Sequence, residues 1–382
     1  MSNFEFEDNS MTQSQDLLFK ILRISLGTDN CINDWGKIDY EELFEISKKL
    51  GVVNIVCDGV QKVLLSDSNS KDEIGKLMNE SLWYKWIGYG LTAEKKSVAY
   101  LKTISEIASF FYDFGYHFYL LKGYGISLYY PIPSHRSIGD IDFYLEKENI
   151  TDVHERADYL FQTYKKIPVN KSRMEHHSHF VYHGFTIEHH YQFTNTYKKQ
   201  RRDKAIDTFF KSLIVEDPRK IVLNGIVFRL PSPTFNAIFL MWHMSIHFCE
   251  SQLSVKQLCD WAMFVKSEKE NVDWIYVEKV YKKYSLEKFA NVVNNIVRRH
   301  FNVSTPQIGV ETYGNVEENV IEDVFCKTVS DSLPSRILNY PRKAWKYSLL
   351  NKSHWSYALL ESVLFHTVWR NDTKKENVGV GN

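Results

Sequence analysis

Two dipeptides in the middle of the chain do most to limit what it can fold into. His183-Gly184 lies between the runs 180–182 and 185–193, and Asn224-Gly225 lies between Ile221-Val222-Leu223 and Ile226-Val227-Phe228. The central residues of a tight hairpin turn take positive φ, which Gly and Asn accept most readily, so each dipeptide predicts a pair of antiparallel strands. Residues 116–121 and 141–145 are further aromatic and aliphatic runs of strand length. Residues 124–130, stopped by Pro131 and Pro133, and residues 151–161 read as helices between strands. The stretch 116–230 therefore mixes helix and strand.

On either side the apolar period lengthens to that of a helix. Before the strands it marks 16–26, 40–50, 53–65 and a long pattern over 76–114, expected to break near Gly88–Gly90. After Pro231 and Pro233 it marks 234–248, 255–265, 274–284, 286–300, 316–330 and 345–369, the last with breaks. The expected fold class is α+β: a small mixed sheet with flanking helices, between an N-terminal and a C-terminal helical region. A chain of 382 residues suits two or three packed units. The expected division is a loose tail at 1–13, helices at 14–94, the α+β domain at 95–230, helices at 231–370 and a loose tail at 371–382.

Composition narrows the partners. Lys plus Arg (47) equals Asp plus Glu (47), so there is no basic excess of the kind a duplex nucleic-acid binder carries. Cysteines 31, 57, 249, 259 and 326 form no C-x-x-C pair, which predicts reduced thiols. Residues 1–13 lack a basic segment followed by an apolar one, and no apolar run is long enough to span a bilayer. The expectation is a cytoplasmic protein with no membrane partner and no strong nucleic-acid signature.

The chemistry concentrates in two places. Lys122-Gly123 stands where a strand gives way to a helix; glycine permits close backbone approach, and a helix N-terminus with a lysine suits a phosphate. Gly139-Asp140-Ile141-Asp142-Phe143 sets two carboxylates two residues apart, hence on one face of a strand, with Ile141 and Phe143 on the other. Paired like charges are costly unless neutralised, and a hard divalent cation with oxygen ligands does that. Glu188, after the His183-Gly184 turn, joins them if its strand lies beside 141–145; the three acids would then hold two ions and Glu188 could accept a proton. Relief of the like-charge pair predicts that Asn at 140 or 142 leaves the fold intact or slightly more stable.

Lys122-Gly123, Tyr130-Pro131, Pro133, Arg136 and Gly139-Asp140-Ile141-Asp142 together resemble a poorly characterised bacterial nucleotidyltransferase family, of the K-G…Y-P-x-P-x-x-R-x-x-G-D-I-D type, within the polymerase-beta-like superfamily. The resemblance covers roughly 95–260. It implies Asp140, Asp142 and Glu188 as catalytic acids and ligands of Mg²⁺ (or Mn²⁺). It implies ATP or another nucleoside triphosphate as substrate, contacted by Lys122, Gly123, Tyr124, Arg136 and Gly139. A nucleoside monophosphate would pass to an unidentified hydroxyl or amine acceptor (small molecule, protein or RNA), releasing pyrophosphate. Lys122-Gly123 replaces the family's Gly-Ser pair, so Tyr124 or backbone amides would substitute for the serine's phosphate contact. Two other functions compete: a glycosyltransferase using a sugar nucleotide, and a non-catalytic nucleotide-binding module of toxin–antitoxin type. The helical segment before the motif counts against the first, and the three intact acids against the second.

Histidines 176, 177, 179, 183, 189 and 190 match no zinc spacing and read as exposed or hydrogen-bonding, with His189 or His190 lining the pocket beside Glu188. His243 and His247 share a helix face, but Met244 stands where a metalloprotease motif needs Glu. The resemblance sets them, with Lys256, Asp260 and Trp261, against the catalytic unit. Arg136 is expected either beside the triphosphate or paired with the aspartates. The basic run Lys198, Lys199, Arg201 and Arg202 reads as a solvated face, with contact to a phosphorylated acceptor as the other possibility.

Overall fold

The computed structural model describes residues 11–29, 38–66, 78–171, 177–194, 201–223, 225–250, 252–308, 315–325, 345, 346 and 348–350. The tail at 371–382, most of the tail at 1–13, Cys31, Cys326, His176, Lys198, Lys199, Asn224, residues 326–330 and most of 345–369 lie outside the described residues, as do the side chains of Arg201 and Arg202.

The helices α1 (Gln13–Ser25), α2 (Tyr40–Lys49), α3 (Val53–Ser66) and α4 (Glu80–Asp113) precede the sheet. Thr12 and Gln15 cap α1 reciprocally, and the Asp39 side chain accepts from the first amides of α2. The expected break at Gly88–Gly90 is absent: α4 runs unbroken for 34 residues. Glycine inside a helix costs only about 1 kcal/mol against alanine, and α4 is anchored on both sides of the pair. Leu82 and Trp86 are buried before it, and Tyr100, Ile104, Ile107, Ala108 and Phe111 after it.

The sheet follows, with strands β1 (His117–Leu120), β2 (Ile141–Glu146), β3 (Asn170–Lys171), β4 (His177–Tyr182), β5 (Phe185–His190), β6 (Arg219–Leu223) and β7 (Ile226–Leu230). Their order is β3-β4-β5-β2-β1-β7-β6. Both hairpins form as expected, with His183 at φ 50°, Gly184 at φ 80° and Gly225 at φ 79°. The pairings of β1 with β7 and of β2 with β5 are parallel, and β1 with β2 is antiparallel, so the sheet is mixed. Helix α5 (Gly123–Ser127) is shorter than the expected 124–130, and α6 (Val153–Lys165) covers the expected 151–161. Helix α7 (Arg201–Ile214) lies where only a basic run was legible. Its buried Ile206, Phe210, Leu213 and Ile214 give it an apolar face. The C-terminal helices α8 (Pro233–Glu250), α9 (Val255–Glu268), α10 (Trp274–Tyr284), α11 (Glu287–Phe301) and α12 (Val316–Phe325) match the expected segments within a few residues. No helix among the described residues is long and apolar enough to cross a membrane.

Two cores sandwich the sheet, because strand side chains alternate between its faces. On one face Phe118, Leu120, Ile141, Phe143, Leu145 and Ile187 pack against the second half of α4 and against Ala157 and Phe161 of α6. On the other, Tyr119, Leu121 and Tyr144 join a larger core built from α1–α3 and α7–α12 together. The two helical flanks, far apart in sequence, thus share one interior. The fold is α+β, with helices on both faces of a mixed sheet.

Candidate active site

The site lies on the face of the sheet that looks toward the helical core. In the parallel pairing of β2 with β5, Asp142 stands directly beside Glu188. Asp140 sits one residue ahead of β2, exposed at the open end, next to Gly139, where an added Cβ would meet nothing within 4 Å. Leu121 N donates to Asp142 O (2.9 Å), which ties the end of β1 to the same place.

Asp142 is 8% exposed, so its charge needs partners. Lys122 Nζ lies 2.9 Å from its Oδ1, and His190 Nε2 donates to the same oxygen at 2.9 Å. Burial pushes this carboxyl up, but Lys122 and the His190 hydrogen bond outweigh burial and hold it well below the usual carboxylate range. His190 is shifted up in turn: burial opposes its charge, and the negative neighbours Asp142 and Glu188 override burial. Asp140 is shifted up as well, by burial and then by the charges of Glu188 and Asp142, with Lys122 and Lys256 opposing. The two aspartates of one motif therefore sit in opposite fields.

The backbone here is strained and braced. Lys122 has φ 44° and ψ −132°, sparsely populated for a non-glycine residue. Gly123, at φ 30°, is required: a Cβ there would lie 2.9 Å from the Tyr100 hydroxyl. That hydroxyl, reaching in from α4, donates to Asp140 O (2.9 Å). With five residues, α5 has a far smaller aligned dipole than the expected helix, which weakens the phosphate argument made for Lys122-Gly123.

Helices α8 and α9 close the far side. Lys122 Nζ donates to His243 Nε2 (3.1 Å), consistent with a ring kept neutral by burial and by the Lys122 charge, which push His243 well below its ordinary value. Burial, Lys122 and then Lys256 lower His247 likewise. His243, His247 and Lys256 are thus gathered around Lys122 and the aspartates. Asp260 is not. Both its oxygens accept from Arg136, from Nε at 2.6 Å and from Nη2 at 2.7 Å, and Oδ1 also accepts from Tyr130 OH at 2.7 Å. Arg136 therefore pairs with Asp260 rather than with Asp140 or Asp142, and this buried pair locks the 130–136 loop to α9. Arg136 and Tyr124 line a narrow crevice beside Gly123 and Tyr100, and none of the three acids lines it.

Of the two expected alternatives beside Glu188, His189 is the one the sheet turns away. It follows Glu188 and so points through to the opposite face, where it is fully buried, stacks on Phe143 (centroids 4.9 Å, 6° apart) and holds Asp158 through Nδ1 at 2.7 Å. His190, two residues from Glu188, takes the place beside the acids. His177 comes from β4: its Nε2 is 3.6 Å from Glu188 Oε1, and His190 Nε2 is 3.6 Å from Oε2.

Residues 36–302 match the model of a family described as uncharacterised nucleotidyltransferases. The chain belongs to this nucleotidyltransferase family. The family region is wider than the 95–260 stretch that carries the motif resemblance, and it takes in α2–α4 and α8–α11 as well as the sheet. A solved structure, an antigenic nucleotidyltransferase-like protein from Paracoccidioides brasiliensis, is similar at 11% identity over 53% of this chain and 93% of that one, with a TM-score of 0.31, too slight to carry weight. No curated protein matches the chain. Of the residues gathered here, His190 was one of two alternatives in the sequence, and Tyr100 was not singled out. Strand alternation from Glu188 would have picked His190 over His189. Tyr100 had only a weak signal, as the first position of the apolar face 100, 104, 107, 108 and 111 of α4.

Proposed function

We propose that this chain transfers a nucleoside monophosphate from a nucleoside triphosphate, ATP in the first instance, to a hydroxyl or amine acceptor, with Mg²⁺ or Mn²⁺ as cofactor. The observation that carries it is the in-register pairing of Asp142 with Glu188, with Asp140 at the open end of β2. The chemistry of the donor set suits a hard divalent cation, although the three carboxylates do not converge into a ready-made ligand group among the described residues. All three groups are carboxylates, and Asp140 is shifted up partly by the charges of the other two, a repulsion that a cation would relieve. When bound, such an ion neutralises phosphate charge and polarises the phosphorus.

The chain's own residues supply the rest. Lys122 neutralises Asp142 inside the protein, and phosphate oxygens are its natural alternative partner. Tyr100 braces the backbone at Asp140 by donating to its carbonyl. Lys256 adds a second positive charge on the cleft wall. Burial and nearby Arg136 lower its pKa, while Asp260 and Asp140 oppose the shift.

The test is incubation with each α-labelled nucleoside triphosphate and with labelled UDP-sugars, with and without Mg²⁺, over protein, RNA and small-molecule acceptor pools. Mg²⁺-dependent transfer of label with pyrophosphate release, abolished in Asp140→Asn, is the expected result. Transfer of sugar instead, or unchanged nucleotidyl transfer in Asp140→Asn and Asp142→Asn, would overturn the assignment.

A further inference from the structure

We propose that His177, His190 and Glu188 form a binding site for a divalent transition-metal ion of the zinc class, beside the three-carboxylate set and sharing Glu188 with it. The antiparallel register of β4 and β5 puts His177 directly across from His190, and Glu188 lies two residues back on the same face of β5. One donor atom from each of the three lies within 4.8 Å of the others. Each imidazole presents Nε2 to a different oxygen of Glu188, at 3.6 Å in both cases. That separation is too long for a hydrogen bond. It is close to what a shared ion requires, since two ligands each about 2.0–2.1 Å from a tetrahedral zinc stand about 3.4 Å apart.

The chemistry of the donors selects the ion. Two imidazoles with one carboxylate suit zinc, cobalt or manganese; magnesium favours oxygen donors in a near-ideal octahedron. Three protein ligands leave a tetrahedral ion one open position, the pattern of a reactive rather than a structural site. The pocket is shielded: His190 is 2% exposed, and His177 and Glu188 are half-buried. Without the ion this His190 nitrogen donates to Asp142 Oδ1 at 2.9 Å; the ion would displace that proton and leave Asp142, and with it the carboxylate set, beside it. Glu188, with one oxygen toward each histidine, is the group common to both sets. The site rests on donor geometry and exists whether or not nucleotidyl transfer is the reaction, although sharing Glu188 would couple ion binding to that reaction.

The test uses metal-stripped full-length protein titrated with Co²⁺. The expected result is one tightly bound ion per chain with visible d–d bands and no near-ultraviolet thiolate charge transfer, displaced by Zn²⁺ and not by excess Mg²⁺. His177→Gln should weaken binding by at least about tenfold, with the far-ultraviolet circular dichroism unchanged, whereas Asp140→Asn should retain it. In the unmutated protein, Zn²⁺ should shift the Nε2 resonances of two histidines in long-range ¹H–¹⁵N spectra, a readout that needs no variant to fold. Absent bands, unmoved imidazole resonances, wild-type affinity in His177→Gln or loss of the ion in Asp140→Asn would each overturn the site. Cobalt binding without any nucleotidyl transfer would sink the proposed function and leave this site standing; transfer by a protein that binds no cobalt would do the reverse.

Discussion

Asp140 and Asp142 look equivalent in the motif, and the structure separates them. Asp142 is buried and held charged by Lys122 and His190; Asp140 lies at the open end of the strand, its carboxyl pushed up by burial first and then by its negative neighbours. The expectation that Asn at either position leaves stability equal or higher therefore divides. Asp140→Asn removes a repelled charge and should leave the melting temperature unchanged or slightly raised. Asp142→Asn strands the half-buried Lys122 and should destabilise the fold, towards the ~3–5 kcal/mol that breaking a fully buried pair costs. The depressed pKa of Asp142 gives the sign of its pH dependence. Its stabilisation is present above the unfolded carboxylate pKa and is lost as pH falls through the lower folded value. Urea unfolding of the two variants at neutral pH checks this: equal midpoints would refute the separation. The side of the strand on which Asp142 and Glu188 each stand was legible because alternation on a strand needs only local sequence. The partners were not: Lys122 is 20 residues from Asp142 and His190 is 48 away, and only the sheet brings them together.

At the scale of elements, the site depends on one hairpin and one strand-to-helix corner, each with a glycine at positive φ. Gly184 turns β4 into β5 at φ 80°, and a Cβ there meets nothing within 4 Å. Gly184→Ala should therefore incur backbone strain alone, about 1–2 kcal/mol, and reduce amide-exchange protection along β4 and β5. Gly123→Ala meets the Tyr100 hydroxyl at 2.9 Å as well as an unfavourable φ. It should displace the brace on Asp140 and lower kcat by more than its effect on stability explains. A Gly123→Ala variant with full turnover would remove Tyr100 from the positioning of Asp140. The hairpins were predictable because their turn chemistry is local. The unbroken α4 was not, since what carries it through Gly88 and Gly90 is burial of Trp86 on one side and Tyr100 on the other. Helix α7 was missed for the complementary reason: its charged opening hid an apolar face that only the core reveals.

Over the whole molecule, a half-buried histidine makes stability depend on pH. Burial first, and then the neighbouring His189, lower the pKa of His154 to about 2 from an ordinary 6.5. The folded protein keeps this ring neutral while the unfolded chain takes up a proton. Stability should therefore be full above pH ~6.5 and fall between there and pH ~2, by up to about 1.4 kcal/mol per pH unit. Denaturation at a series of pH values should show this slope, and His154→Leu should flatten it. An unchanged slope in that variant would place the acid sensitivity elsewhere.

The shared interior of the two helical flanks means that α1 helps to hold up the candidate site from a distance. Phe19 of α1 is 1% exposed and packs edge-on against Phe301 of α11 (centroids 5.4 Å) and against His300 (4.8 Å). Helix α11 in turn positions α9, where Trp261 Nε1 donates to Asn294 Oδ1 at 2.9 Å. On the same helix stand Asp260, next to Trp261 and clamped to Arg136, and Lys256, five residues before Trp261. Close-packed cores transmit such a loss because neighbouring groups relax only partially. Phe19→Ala should cost about 3–5 kcal/mol and lower hydrogen-exchange protection in α9 and α11 together with α1. If protection fell in α1 alone, the helical flanks would be separate units and the cleft wall would stand on the C-terminal helices by themselves.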